Sequence, residues 1–117
     1  MIEIDAVVDK DGVLKSCKAC GHAKTMSIFN KAGPAGNDVI CAAVSVLMYS
    51  ALSSLSNRKG ITITGDWSQE GLIWLNTGYE ADGKDFLFAA GVFLIEGLKF
   101  VAQEYPKNCK LVIRTED

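Results

Sequence analysis

The sequence has little proline, little histidine and no excess of positive charge. Its 117 residues include 2 prolines and 1 histidine, and 12 Lys and Arg stand against 14 Asp and Glu. A net charge of -2 gives too weak a positive field to hold a nucleic-acid backbone, so we expect no direct nucleic-acid partner. Few prolines and 49% hydrophobic residues exclude a disordered or collagen-like chain.

Long hydrophobic runs are also absent. The first residues read MIEID, without the basic region and apolar run of a signal peptide, and no stretch is apolar for long enough to span a membrane. We therefore expect a cytoplasmic protein with no membrane partner. The length predicts a single domain, 1–117.

The hydrophobic pattern predicts an α+β fold. Alternating or β-rich segments are predicted as strands: 1–9, 13–23, 61–64, 72–77 and 111–113. Apolar residues at helical spacing predict helices at 39–57 and 85–104. The order ββαββαβ predicts a two-layer sandwich, with a mainly antiparallel sheet and two helices on one face.

Between the second strand and the first helix, residues 24–37 are predicted as a long loop because glycine, proline and asparagine interrupt any regular period. Loops of this length in small domains are commonly lids or binding segments. Met26, Ile28 and Phe29 would give such a segment apolar side chains with which to cover a substrate.

His22 is the single histidine, so any mechanism that needs an imidazole near neutral pH must use it. Its small neighbours, Gly21 and Ala23, would let other groups approach the ring closely. The alternative is a partly exposed strand histidine without a chemical role.

Cys41 is predicted in the first turn of the first helix, with Asp38 as N-cap. The positive end of the helix dipole favours a thiolate there, and first-turn N–H groups are available to an oxyanion. A nucleophilic cysteine also needs an adjacent imidazolium, and His22 is the candidate. Alternatively, Cys41 is a small buried core residue. The residues alone leave both possibilities open.

Asp38 has two possible roles. It could cap the helix through hydrogen bonds from backbone N–H groups to its carboxylate, or it could orient His22 as the third member of a Cys, His, Asp arrangement. A carboxylate close to Cys41 would oppose thiolate formation, which favours the capping role.

Cys17, Cys20, His22 and Cys41 could in principle hold zinc. Strand residues three apart, however, point to opposite faces, so Cys17 and Cys20 cannot both reach one ion. We expect no metal and no cofactor. In a reducing compartment we expect no disulfide either.

The run Gly21-His22-Ala23, followed after a glycine-containing loop by GNDVICAAVSV (36–46), closely resembles the ribosomal-processing cysteine protease family called Prp. That family has Gly-His-Ala at a strand end and Gly-x-Asp, two hydrophobic residues and Cys-Ala-Ala-Val-Ser at a helix start. The detailed match spans 21–47. The loop is longer here than is usual for the family and contains Pro34, and Cys17 with Cys20 is not a family feature.

The resemblance implies that Cys41 is the nucleophile, His22 the general base and Asp38 the acidic member of the site. It also implies a homodimer that removes the N-terminal extension of a large-subunit bacterial ribosomal protein, cutting after an aromatic residue. The motifs and the loop supply the residues expected to contact substrate: Gly21, Ala23, Met26, Phe29 and Ser45. The alternative function is a non-catalytic module that binds a basic ribosomal or assembly protein through its mildly acidic surface.

Overall fold

The computed structural model describes residues 1–21, 35–69 and 71–117, with the backbone alone for 35–38. This part of the chain forms five strands, two α-helices and a short 3-10 helix. The strands are β1 Ile2–Val8, β2 Leu14–Gly21, β3 Ile61–Asp66, β4 Leu72–Tyr79 and β5 Cys109–Thr115. The helices are α1 Ala35–Leu55 and α2 Lys84–Glu104, and the 3-10 helix is Ala81–Gly83. The predicted α+β class and the order ββαββαβ are confirmed.

The five strands lie in one sheet in the order β3-β4-β2-β1-β5. Every neighbouring pair is antiparallel except β1 with β5, which run parallel. The parallel pair follows from connectivity, because α2 returns the chain to the end of the sheet where β1 begins. The predicted mainly antiparallel sheet is therefore confirmed.

The turn between β1 and β2 is held by Asp9. Its carboxylate accepts hydrogen bonds from the backbone N–H groups of Asp11 at 2.8 Å and Val13 at 3.0 Å, and from the Tyr79 hydroxyl at 2.7 Å. Gly12 has a φ of 82°, which glycine adopts without steric cost. The register shifts once, between Val7 and Val8, and beyond this irregularity Ile2 lies opposite Gly21.

The core lies between the sheet and the two helices. Alternate residues of β1 are buried on the helix side, and α1 buries a stripe that includes Val44 and Met48. The helices approach closely where Gly97 faces Leu47, because a Cβ atom on Gly97 would lie 2.6 Å from Leu47 Cδ2. Within the described ranges, no helix combines the length and the apolar character needed to cross a membrane.

Helix α1 begins at Ala35, four residues before the predicted start. Asp38 is therefore the fourth helical residue, and its predicted role as N-cap is wrong. The low helix propensity of Gly36 and Asn37 predicts a loop, but the first turn of a long packed helix tolerates both residues. Of the predicted loop, 35–37 are helical and 24–34 lie outside the described residues.

Candidate active site

Cys41 is the seventh residue of α1, so it lies in the second turn of the helix rather than in the first. Its side chain is 2% exposed and belongs to the main core cluster. This burial agrees with the alternative in which Cys41 is a core residue. A peptide carbonyl can reach the sulfur only after the side chain becomes accessible.

The later position of Cys41 removes its own amide from the expected oxyanion donors, which are the first-turn N–H groups. A backbone N–H in the second turn of a helix is bonded to the carbonyl four residues earlier, so the Cys41 amide is not available. The N–H groups without helical partners belong to the first turn. That turn contains Asp38, whose side chain lies outside the described residues.

Gly21 is the last residue of β2 and fixes the chain immediately before His22. It pairs with Ile2, and its N–H donates to the carbonyl of Gly71 at 3.0 Å. A Cβ atom at Gly21 would lie 2.8 Å from Ile2 Cγ1 and 3.0 Å from Ile2 Cα. Glycine is therefore required here for the close approach of β1. The other predicted residues of this segment lie outside the described residues: His22, Ala23, Met26 and Phe29.

Ser45 lies one turn after Cys41 on the same side of α1. Its side chain is 1% exposed, and its hydroxyl has no hydrogen-bond partner within the part of the chain that the structure describes. A buried hydroxyl without a partner costs about 1–3 kcal/mol. Alanine would avoid this cost, so the fold itself gives no reason for serine at this position.

Cys17 and Cys20 point to opposite faces of the sheet, as predicted for strand residues three apart. Cys17 faces the helices and is buried, while Cys20 is partly exposed. Burial, and to a smaller extent the Asp5 carboxylate, raises the pKa of the Cys17 thiol to about 12. Cys17 is therefore a thiol near neutral pH, which suits neither a nucleophile nor a metal ligand.

An aromatic pair that the sequence did not predict lies on the flank of α1 that carries Cys41 and Ser45. Tyr49 lies one further turn along this flank, and its ring centroid is 4.5 Å from that of Trp67, which follows β3. The only sequence signal for the position of Tyr49 was its spacing, since Cys41, Ser45 and Tyr49 follow one another at intervals of four residues. Nothing in the sequence pattern pairs Tyr49 with Trp67, because the contact depends on how α1 packs against the sheet.

Comparison with known proteins identifies related sequences and folds. The profile of the family described as cysteine protease Prp matches residues 1–110. The crystal structure of SMU.848 from Streptococcus mutans is similar, with a TM-score of 0.75 at 22% identity, over 99% of this chain and 96% of that chain. The ribosomal processing protease Prp from S. aureus in complex with a substrate peptide also has a TM-score of 0.75, at 18% identity, over 97% of this chain and 99% of that chain. No curated protein matches the chain significantly in sequence.

Proposed function

The chain belongs to the family of cysteine protease Prp, and from this membership we propose that Cys41 is its nucleophile, His22 its general base and Asp38 the acidic member of the site. The observation that carries the proposal is the family match over residues 1–110, which includes both motifs. It favours a protease over a non-catalytic binding module.

In the proposed reaction, His22 removes the proton of the Cys41 thiol, and the sulfur attacks the carbonyl carbon of the scissile peptide bond. The protonated imidazole then gives its proton to the leaving amine as the carbon–nitrogen bond breaks. Water, deprotonated by the same imidazole, hydrolyses the resulting thioester and regenerates the thiol. Each cycle thus consumes one water molecule and leaves the enzyme unchanged.

The negative oxygen of the tetrahedral intermediate needs donors that the fold does not already use. Two described groups are candidates: the Ser45 hydroxyl, which is buried without a partner among the described residues, and the first-turn N–H groups of α1, which have no partner within the helix. We propose that Ser45 donates to the substrate. Its position one turn from Cys41 supports this role.

We propose that the substrate is the N-terminal extension of a large-subunit ribosomal protein. Support comes from the similarly folded S. aureus protein, which is described as a ribosomal processing protease bound to a substrate peptide. The substrate-contacting set is proposed as Gly21, Ala23, Met26, Phe29 and Ser45. A ribosomal protein substrate is consistent with a cytoplasmic location, which is part of the same proposal.

We also propose that the protein is a homodimer. The outer surface of the helical layer supports this, because Phe93 and Phe100 of α2 are exposed one heptad apart. The neighbouring helix α1 has no charged residue from Val39 to Leu55. An uncharged, partly apolar helix face favours association with a second copy over contact with a basic partner.

The test is mass spectrometry of the ribosomal protein of the source organism after incubation with purified enzyme. Wild type is expected to shorten it at one position, whereas Cys41→Ala and His22→Ala are expected to leave it intact. Cys20→Ala is the matched control, since it removes a thiol from the opposite face of the sheet. Shortening by Cys41→Ala at the wild-type rate would contradict the assignment of the nucleophile.

A further inference from the structure

A groove runs between the C-terminal half of α1 and strand β3. It has a volume of about 680 Å³. Its lining includes Tyr49, Leu52, Ser53, Ile63, Thr64 and Trp67. Tyr49 is 38% exposed and Trp67 is 44% exposed, so the aromatic pair that they form presents apolar surface to whatever enters the groove.

The groove lies on the same flank of α1 as Cys41. Cys41, Ser45 and Tyr49 follow one another at intervals of four residues, each about 40° further around the helix. Tyr49 therefore lies about 80° around the helix from the buried Cys41, at the exposed border of the same flank. At a rise of about 1.5 Å per residue, Tyr49 lies about 12 Å along the helix from Cys41. An extended peptide covers this distance in about three or four residues, at about 3.3 Å each.

The chemistry of the groove fits an extended, uncharged segment of peptide. None of the described residues that line it is charged, so a charged side chain would lose hydration without gaining a partner. Strand β3 is an edge strand that pairs with β4 alone among the described strands. Its outer edge therefore offers backbone groups with which an extended chain can form hydrogen bonds.

We propose that Tyr49 and Trp67 form a subsite for an apolar side chain of the peptide substrate, three or four residues from the scissile bond. This proposal depends on Cys41 being the nucleophile, as proposed above. The subsite makes substrate selection depend on a residue remote from the cleaved bond. Trp67 and Tyr49 determine specificity and take no part in bond breaking.

The test measures kcat/KM on a series of peptides derived from one that wild type cleaves. Each position up to four residues on either side of the scissile bond carries Leu, Ala or Lys in turn. The recognised position is the one, three or four residues from the scissile bond, at which wild type prefers Leu to Ala. Trp67→Ala is expected to reduce kcat/KM about tenfold on the peptide with Leu at that position. On the peptide with Ala there, the reduction is expected to be about twofold or less, because the contact is already missing.

Trp74→Ala is the matched control. Trp74 lies in β4 between the helix-facing residues Ile73 and Leu75, so its side chain is on the sheet face away from α1. Its replacement is expected to leave the preference among the peptides unchanged. If Trp67→Ala keeps the wild-type preference for Leu over Ala at every position, the subsite proposal is overturned. Cleavage of the same peptides by wild type would still support the protease assignment, so the two proposals fail separately.

Ser53→Asp provides a second test that does not remove the aromatic pair. Ser53 is exposed in the groove, so a carboxylate there should not disturb the core. It is expected to increase kcat/KM for the Lys peptide relative to the Leu peptide, by several fold at low ionic strength. An unchanged ratio would also overturn the proposal.

Discussion

Replacement of Ser45 by alanine should stabilise the protein while it weakens catalysis. Serine is 1% exposed at this position, and its hydroxyl has no partner among the described residues. Removal of the hydroxyl therefore breaks no described hydrogen bond and relieves the unfavourable burial of a polar group. A buried hydroxyl that costs stability is expected at this position if it donates a hydrogen bond to the substrate.

The size of the effect follows from three contributions. Relief of the unsatisfied hydroxyl is worth about 1–3 kcal/mol, and alanine has a better helix propensity than serine by roughly 0.5 kcal/mol. The small void left by the oxygen costs up to about 1 kcal/mol. We therefore expect the free energy of unfolding to rise by about 2 kcal/mol, within a range of about 0.5–3.5 kcal/mol. A rise of about 2 kcal/mol corresponds to an increase in Tm of roughly 6–10 °C.

The assay is urea denaturation of wild type, Ser45→Ala and Ser50→Ala, together with kcat/KM on a cleaved peptide. Ser50 is exposed in the same helix, so its replacement reports the helix-propensity contribution alone. Ser45→Ala should be more stable than Ser50→Ala and should have a lower kcat/KM. If Ser45→Ala is less stable than Ser50→Ala, the hydroxyl stabilises the fold and the reasoning is refuted.

Two further predictions concern the ends of β2 and β1. Gly21→Ala should lower kcat/KM. A Cβ atom at this position would lie 2.8 Å from Ile2 Cγ1, so the end of β2 that precedes His22 would have to shift. Wild-type kcat/KM in this variant would contradict that explanation. Asp9 should support stability above a pH of about 4. Burial alone would raise the pKa of this carboxyl, but hydrogen bonds from Tyr79, Val13 and Asp11 outweigh it and lower the pKa. The stability that Asp9 contributes is therefore present above its unfolded-state pKa and is lost as pH falls through the lowered pKa. Urea midpoints of wild type and Asp9→Asn should converge toward pH 3, and a constant difference would contradict this.

The fold was predictable because its signals are local. Alternation in β1 and the Asp11-Gly12 turn specify the first hairpin, and the apolar stripe through Val44 and Met48 specifies α1. The motifs around His22 and Cys41 predicted the family, which the match over residues 1–110 confirms.

Features that depend on packing were not predictable. The start of α1 at Ala35 was missed because Gly36 and Asn37 are poor helix formers by themselves. Whether the Ser45 hydroxyl finds a partner among the described residues depends on what surrounds it in the core. The contact between Tyr49 and Trp67 joins a helix to the segment after a distant strand, and no sequence period encodes such a contact.

The parallel pairing of Ile2 with Cys109 has a consequence for biosynthesis. Strand β1 is translated before β5, so one of its two edges stays uncovered until β5 has left the ribosome. Contacts between such distant parts of a chain form late in folding, and an uncovered strand edge can meanwhile pair with another nascent chain. The last strand of the sheet thus completes the protection of the first one.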